Sequence, residues 1–251
     1  MAPATYFIAF RNGEIDLVPH DGLTPADFVS IEQEPTLSAN YLRHYGDFRT
    51  DYLLFDTFSP PFDNLDVRKA FAHAVDREAI VRGVYGQIKA SPAHSMMMPG
   101  FPGADREGKL SALQCYDGDL ARSHLAKAGY PNGNGFPAVE LWMRNESPAL
   151  AAVYQAVAAS IAQCLGIQIR VSNKDTKVYM EALYDRPTKL KFGAVSYGMD
   201  FMDPADLMGI WASGGRHSWS NPEFDRLVAQ AGRLVADSPQ RLALYQQAER
   251  V

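Results

Sequence analysis

The stretch Val139-Glu140-Leu141-Trp142-Met143, followed by Leu150, Val153, Tyr154, Val157, Ile161 and Leu165 and closed by Ile167-Gln168-Ile169-Arg170-Val171, decides the fold. Val139, Leu141 and Met143 alternate apolar with polar, the next six apolar residues recur at helical spacing, and past Gly166 the alternation returns at Ile167, Ile169 and Val171. A period of two, then about 3.6, then two is strand, helix, strand. With links this short it is a βαβ unit, whose strands run parallel. A short helix near Val178 to Tyr184 and a further strand from Leu190 to Tyr197 extend the sheet. That strand runs into Tyr197-Gly198-Met199-Asp200-Phe201-Met202-Asp203-Pro204, at the C-terminal edge where open α/β sheets hold ligands.

Outward from this unit, helix starts repeat one device, an N-cap residue followed by Pro at the first helical position: Thr24-Pro25, Ser147-Pro148, Asp203-Pro204, Asn221-Pro222 and Ser238-Pro239. Asp27 and Asp206 add first-turn acids that suit the positive end of the dipole. Val67, Ala70, Phe71, Ala74, Val75, Val81, Val84 and Tyr85 share a stripe, which predicts one amphipathic helix from Val67 to Tyr85 ended by Gly86. A further helix spans Asp117 to Ala128, stops at Gly129 and leads into the turn-rich Tyr130 to Gly135. Near the N-terminus, Ile8 to Phe10 suggests a helix, Ile15 to Val18 a short strand and Asn40 to Phe55 a longer β segment. The predicted class is α/β, with a mixed, mostly parallel sheet flanked by helices and an additional N-terminal β segment.

The 251 residues are 47% hydrophobic and 21% charged, enough to bury a sizeable core. A net charge of −5, with acids and bases interleaved, provides no basic stripe to neutralise phosphates, which excludes nucleic acid as the expected partner. No run approaches the ~18 apolar residues of a membrane helix. Met1-Ala2-Pro3 leads into folded-looking sequence rather than a signal peptide, and the pattern Leu242, Tyr245, Ala248, Val251 meets no Gly or Asn stop. The expectation is a piece of a longer protein. Cys115 and Cys164 lie far apart in no Cys-x-x-Cys pattern, so buried thiols and one disulfide both remain open.

Among chemical signals, Gly133-Asn134-Gly135-Phe136-Pro137-Ala138 fits a dinucleotide pattern in form, but a helix precedes it and a strand follows, the reverse of what a pyrophosphate needs. It reads as a turn. His94 with Met96, Met97 and Met98 hints at soft-metal ligation, yet three consecutive side chains cannot face one ion, and the run between Pro92 and Pro99 reads as an adaptable apolar loop. His20, His44, His73, His124 and His217 show no ligand spacing, and no nucleophile elbow, Walker loop or cysteine cluster is present. No catalytic constellation emerges, and no cofactor is expected. Asp203, with Pro204 behind it, reads as the helix cap. Asp200 follows the strand among Tyr197, Met199 and Phe201, and burial there would make its charge receptive to an incoming ammonium.

Taken together, the motifs resemble those of the C-terminal lobe of the family 5 extracellular solute-binding proteins, the peptide and nickel receptors of ABC importers. The resemblance covers essentially the whole chain. Its marks are Gly13-Glu14-Ile15-Asp16, Tyr52-Leu53-Leu54-Phe55-Asp56-Thr57 with Pro61-Phe62-Asp63-Asn64, Val67-Arg68-Lys69-Ala70-Phe71, Ala74-Val75-Asp76-Arg77-Glu78, Ala126-Lys127-Ala128-Gly129-Tyr130-Pro131 with Gly135-Phe136-Pro137, and Ser220-Asn221-Pro222-Glu223-Phe224-Asp225. It implies a type II periplasmic-binding-protein lobe, here residues 1–251 as a single C-terminal ligand-binding lobe of a two-lobed receptor. It also implies a periplasmic or extracellular monomer that captures an oligopeptide, dipeptide or related solute for an ABC permease, without chemistry.

The resemblance assigns Asp200 to the ligand α-amino group, Tyr197 to the cleft wall, and Arg144, four residues before Pro148, to the peptide carboxylate. Tyr197 stands for the family's usual Trp, Met199 for Ala and Phe201 for Tyr, so the pocket is altered where these side chains would pack; Asp56 stands where Asn is common. A nickel-chelate or other non-peptide receptor, with His94, His217 and the Met run as suspects, is the alternative. A hydrolase using Asp200 and Asp203 lacks a nucleophile and base.

Overall fold

The computed structural model describes residues 3–18, 22–40, 48–85, 90–144, 148–236 and 238–251. Among them, β1 (Arg49–Phe55), β2 (Val139–Met143), β3 (Ile169–Asn173) and β4 (Phe192–Gly198) form one sheet in the order β1-β4-β2-β3. β2 runs parallel to β3 and to β4, while β1 runs antiparallel to β4. The helices are α1 (Pro3–Arg11), α2 (Pro25–Gln33), α3 (Pro35–Asn40), α4 (Leu65–His73), α5 (Arg77–Ile80), α6 (Ser111–Gln114), α7 (Gly118–Lys127), α8 (Pro148–Leu165), α9 (Thr176–Tyr184), α10 (Pro204–Gly209), α11 (Pro222–Ala231) and α12 (Pro239–Ala248). None of them is long and apolar enough to cross a membrane. The chain divides into two compact units, Met1–Gly46 with Glu78–Ser91, and Asp47–Arg77 with Pro92–Val251. The smaller carries α1 to α3, with Phe7, Ala9 and Ile31 buried and Arg11 paired to Glu34 at 3.2 Å. The larger carries the sheet and every candidate site residue.

The βαβ reading is realised as β2, α8 and β3. The capped starts appear as read: Thr24 and Asp27 form a reciprocal capping box on α2, and Asp203, Asn221 and Ser238 cap α10, α11 and α12. The Ser147 cap of α8 and the Gly86 stop lie outside the described residues, as do His20 and His44. Residues 130–135 form the expected turn, in which a Cβ on Gly133 would overlap the Gly166 carbonyl.

Three expectations are corrected. The helix read across Val67 to Tyr85 breaks after His73, giving α4, then α5 and one π-helical turn over Val81–Tyr85. The break is held by polar groups from elsewhere: Ser160 on α8 accepts from Asp76 N at 3.1 Å and donates to Ala74 O at 2.8 Å, and the Arg77 guanidinium donates to the carbonyls of Ala72, Val75 and Gln114. Buried polar groups that find such partners make a kink tolerable. Ile15 to Val18 forms no strand, since Gly13 turns the chain at φ +72° after α1. Of the β segment read from Asn40 to Phe55, Asn40 ends α3, residues 41–47 lie outside the described residues, and β1 opens at Arg49.

Strand alternation sends side chains to two faces. On one, Phe55, Phe62, Phe71 and Phe192 form a ring cluster with centroids 4.7 to 5.8 Å apart. On the other, α9 lays Tyr179 and Leu183 over Leu54 and Val195. Tyr179 Oη donates to Ala194 O at 2.8 Å, an approach that Gly193 permits because a Cβ there would stand 2.8 Å from the phenol oxygen. Gly193→Ala is expected to cost about 2 kcal/mol in urea unfolding through overpacking. Gly209→Ala, where an added Cβ meets nothing, is the near-neutral control. A second core, with Met97, Phe101, Leu207, Met208, Phe224, Leu227 and Tyr245, joins α10, α11 and α12 beyond the end of β4.

Candidate functional site

The strand β4 ends in Tyr197-Gly198, and the loop from Met199 to Asp203 opens α10. Two acids fix this loop. Asp203 Oδ1 accepts from Ala205 N at 2.8 Å, the cap expected of it, and both its oxygens receive the Arg241 guanidinium at 2.6 and 2.8 Å. Burial would raise the Asp203 carboxyl, but Arg241 and the Ala205 N–H more than offset it and hold it below its ordinary value. With both oxygens committed, Asp203 forms no free carboxylate pair with Asp200. One turn into α10, Asp206 is buried and accepts from Asp200 N at 2.7 Å and from Tyr197 Oη at 3.0 Å. Burial, and then this bond to an acid, push the Tyr197 phenol up to about 12. Sequence reasoning took Asp206 for a dipole acid. Its place three residues after the cap was the available signal, but the same spacing describes many exposed acids.

The structure corrects the expected burial of Asp200. Its side chain is exposed, with Tyr197 Oη at 3.4 Å, because Met199 turns into the helical core and Phe201 and Met202 stand outward, 55% and 53% exposed. Of the five candidates, Asp200 and Phe201 face open space, Tyr197 is half-buried beside Asp200, and Met199 is partly buried against α10 to α12. Arg144 follows the end of β2, its Cζ 5.8 Å from the centre of the Tyr179 ring. β2 and β4 are neighbours, so Arg144 and Asp200 lie just beyond the C-terminal ends of adjacent strands, as the strand assignments required.

The structure adds a group that the sequence reading did not bring together. Tyr52 on β1, Trp211, Arg216 and His217 meet on the α9 face. Tyr52 Oη lies 2.8 Å from His217 Nε2, the Trp211 ring centre 4.3 Å from that of His217, and Arg216 Cζ 5.4 Å from that of Tyr197. Burial, then the charges of Arg216 and Arg186, push His217 down to about 3, so its imidazole is neutral. Their loop is anchored by Asp56, the residue that departs from the family's common Asn. Asp56 is buried and accepts from Ser218 Oγ at 2.6 Å, Ser59 Oγ at 2.5 Å and Lys191 Nζ at 2.7 Å. Asp56→Asn is expected to cost about 2 kcal/mol in urea unfolding, since it strips Lys191 of its counter-charge and turns an acceptor into a donor toward a hydroxyl.

Of the metal suspects, Met97 is buried in the second core, Met96 and Met98 pack against it, and His217 Nε2 lies 2.8 Å from Tyr52 Oη. Among the described residues, no three His, Cys, Asp or Glu side chains converge as a metal site, and Cys115 and Cys164 are free thiols.

Comparison with known proteins gives three consistent findings. The family model described as bacterial extracellular solute-binding proteins, family 5 Middle, matches residues 2–219. The dipeptide-binding protein DppE and the oligopeptide-binding protein OppA of Bacillus subtilis are 29% and 28% identical to this chain, over 98% and 96% of its length and 44% of theirs. A solved periplasmic oligopeptide-binding protein from Borrelia burgdorferi superposes with a TM-score of 0.79 at 22% identity, over 98% of this chain and 47% of that one, which establishes a shared fold. The chain thus spans about half the length of the relatives it matches.

Proposed function

Because the chain belongs to the family 5 bacterial extracellular solute-binding proteins, we propose that it supplies one wall of a cleft that captures a small peptide outside the cytoplasm for an ABC permease. The observation that supports this reading is that Asp200 and Arg144, opposite charges, follow the C-terminal ends of adjacent strands, an arrangement that suits the two poles of a zwitterion. Exposed Phe201 and Met202 offer apolar cover beside the acid. The peptide-binding names of DppE and OppA agree with this ligand class. Binding works by enclosure: a second lobe closes on the ligand and removes water from both charges, with no bond made or broken. The 251 residues alone then form half the enclosure and bind weakly.

Calorimetric or NMR titration of the chain with unblocked dipeptides and tripeptides, and separately with Ni²⁺, tests the reading. Saturable peptide binding without Ni²⁺ binding is expected. Ni²⁺ binding with no response to peptide would overturn it in favour of a metal-chelate receptor.

A further inference from the structure

We propose that Arg216 is a second anion receptor beside Arg144, so that the ligand of this site is a peptide bearing an acidic side chain next to its free carboxylate. The inference rests on the peptide reading above and adds a substrate preference to it. Arg144 Cζ lies 5.8 Å from the centre of the Tyr179 ring and Arg216 Cζ 5.4 Å from that of Tyr197, and burial pushes the Tyr179 phenol up while both charges pull against it. Arg216 also acts on Tyr52 and Tyr197, placing its charge inside the Tyr52, Tyr197, Trp211 and His217 group.

Neither guanidinium has an acid within ion-pair distance among the described residues, and Arg216 Nε is buried without a hydrogen-bond partner. Neighbouring cations differ. Lys174, stacked on Trp142 at 4.4 Å, is paired with Glu140 at 3.4 Å, and Arg186 is spent on the carbonyls of Leu183, Asp185 and Gly215. Asp206, the acid bonded to Tyr197, is itself occupied by that phenol and by the backbone N–H of Asp200. A half-buried guanidinium without an acceptor carries a desolvation cost that an anionic ligand group relieves. The fork of Arg favours a carboxylate it can meet with two parallel bonds. His217, being neutral, adds no competing charge. Arg216 is also held in place: Gly215 N donates to Ala212 O at 2.8 Å, Arg186 grips the Gly215 carbonyl, and Asp56 grips Ser218. One charge would satisfy Arg144; the second arginine asks for another.

The test compares Ala-Glu with Ala-Gln in NMR titrations of the 251-residue chain. Ala-Glu is expected to bind at least about tenfold more tightly, the scale of one added charge-assisted pair. In Arg216→Gln the ratio should fall to near one, and Arg216→Lys should restore part of it, with thermal melts showing that both variants fold. The wild-type ratio needs no variant: equal affinity for the two peptides overturns the inference and leaves the peptide reading standing. A preference that survives in folded Arg216→Gln also overturns it. Failure of both peptides to bind the two-lobed receptor as well as the 251-residue chain removes the peptide reading and this inference with it.

Discussion

Asp203→Ala is expected to destabilise the chain by about 4 kcal/mol, in the range for stranding one partner of a buried ion pair. Arg241, on α12, has only 8% of its side chain exposed, and its guanidinium makes two bonds to Asp203 and a third to Tyr245 Oη at 3.3 Å. Removing the carboxylate takes the counter-charge from that buried guanidinium and also deletes the α10 cap, worth about 1 kcal/mol by itself. Urea unfolding of the variant measures the loss. Asp203→Ala combined with Arg241→Met should recover most of it, since the stranded charge is then gone and an apolar chain fills the space. A loss below about 1 kcal/mol for the single variant would mean that the pair is not what joins these helices.

The pH dependence has a definite sign. The Asp203 carboxyl is held below its ordinary value of 3.8, so its contribution is present above that value and is lost as the pH falls through the lower folded value. The wild type should therefore lose more stability than Asp203→Ala when both are acidified below pH 3.8.

Asp200→Ala is expected to weaken binding of an unblocked peptide on the order of 100-fold, the scale of losing one enclosed, hydrogen-bonded charge pair. Binding of the N-acetylated form of the same peptide should fall by less than about threefold, because no ammonium is left to pair. The substitution is informative because the tie from this loop to Asp206 runs through the Asp200 backbone N–H at 2.7 Å, which alanine keeps. Calorimetry with both peptides on the two-lobed receptor makes the comparison. Equal losses would assign Asp200 to loop structure rather than amine recognition.

Much of this was legible in the sequence, and the reasons are local. Apolar periodicity marks strands and helices because each element must bury one face, and Pro after a capping residue marks a start because the first helical N–H needs no partner. Asp203 could be told apart from Asp200 by Pro204 alone. The position of Asp200 and Arg144 beyond strand ends followed from the βαβ unit and the strand after it.

The remainder depended on groups distant in sequence. The apolar stripe from Val67 to Tyr85 continues through the kink, where Ser160, brought in from α8, and Arg77, anchored on the Gln114 carbonyl, satisfy backbone groups exposed there. Asp206 looks like any first-turn acid until Tyr197 and the Asp200 N–H are seen to converge on it. Tyr52 and His217 are 165 residues apart, and they meet because β1 pairs with β4 on the side away from β2. The chain by itself determined most of the elements, the caps of α2, α10, α11 and α12 and the edge of the sheet that carries the site, since those obey the period of the backbone. Tertiary structure alone decided that Asp200 is exposed, that Asp206 holds its loop, and that two arginines with no ion-paired acid among the described residues flank the same aromatic group. Charge partnership and burial depend on which strands become neighbours, a choice that local periodicity does not encode.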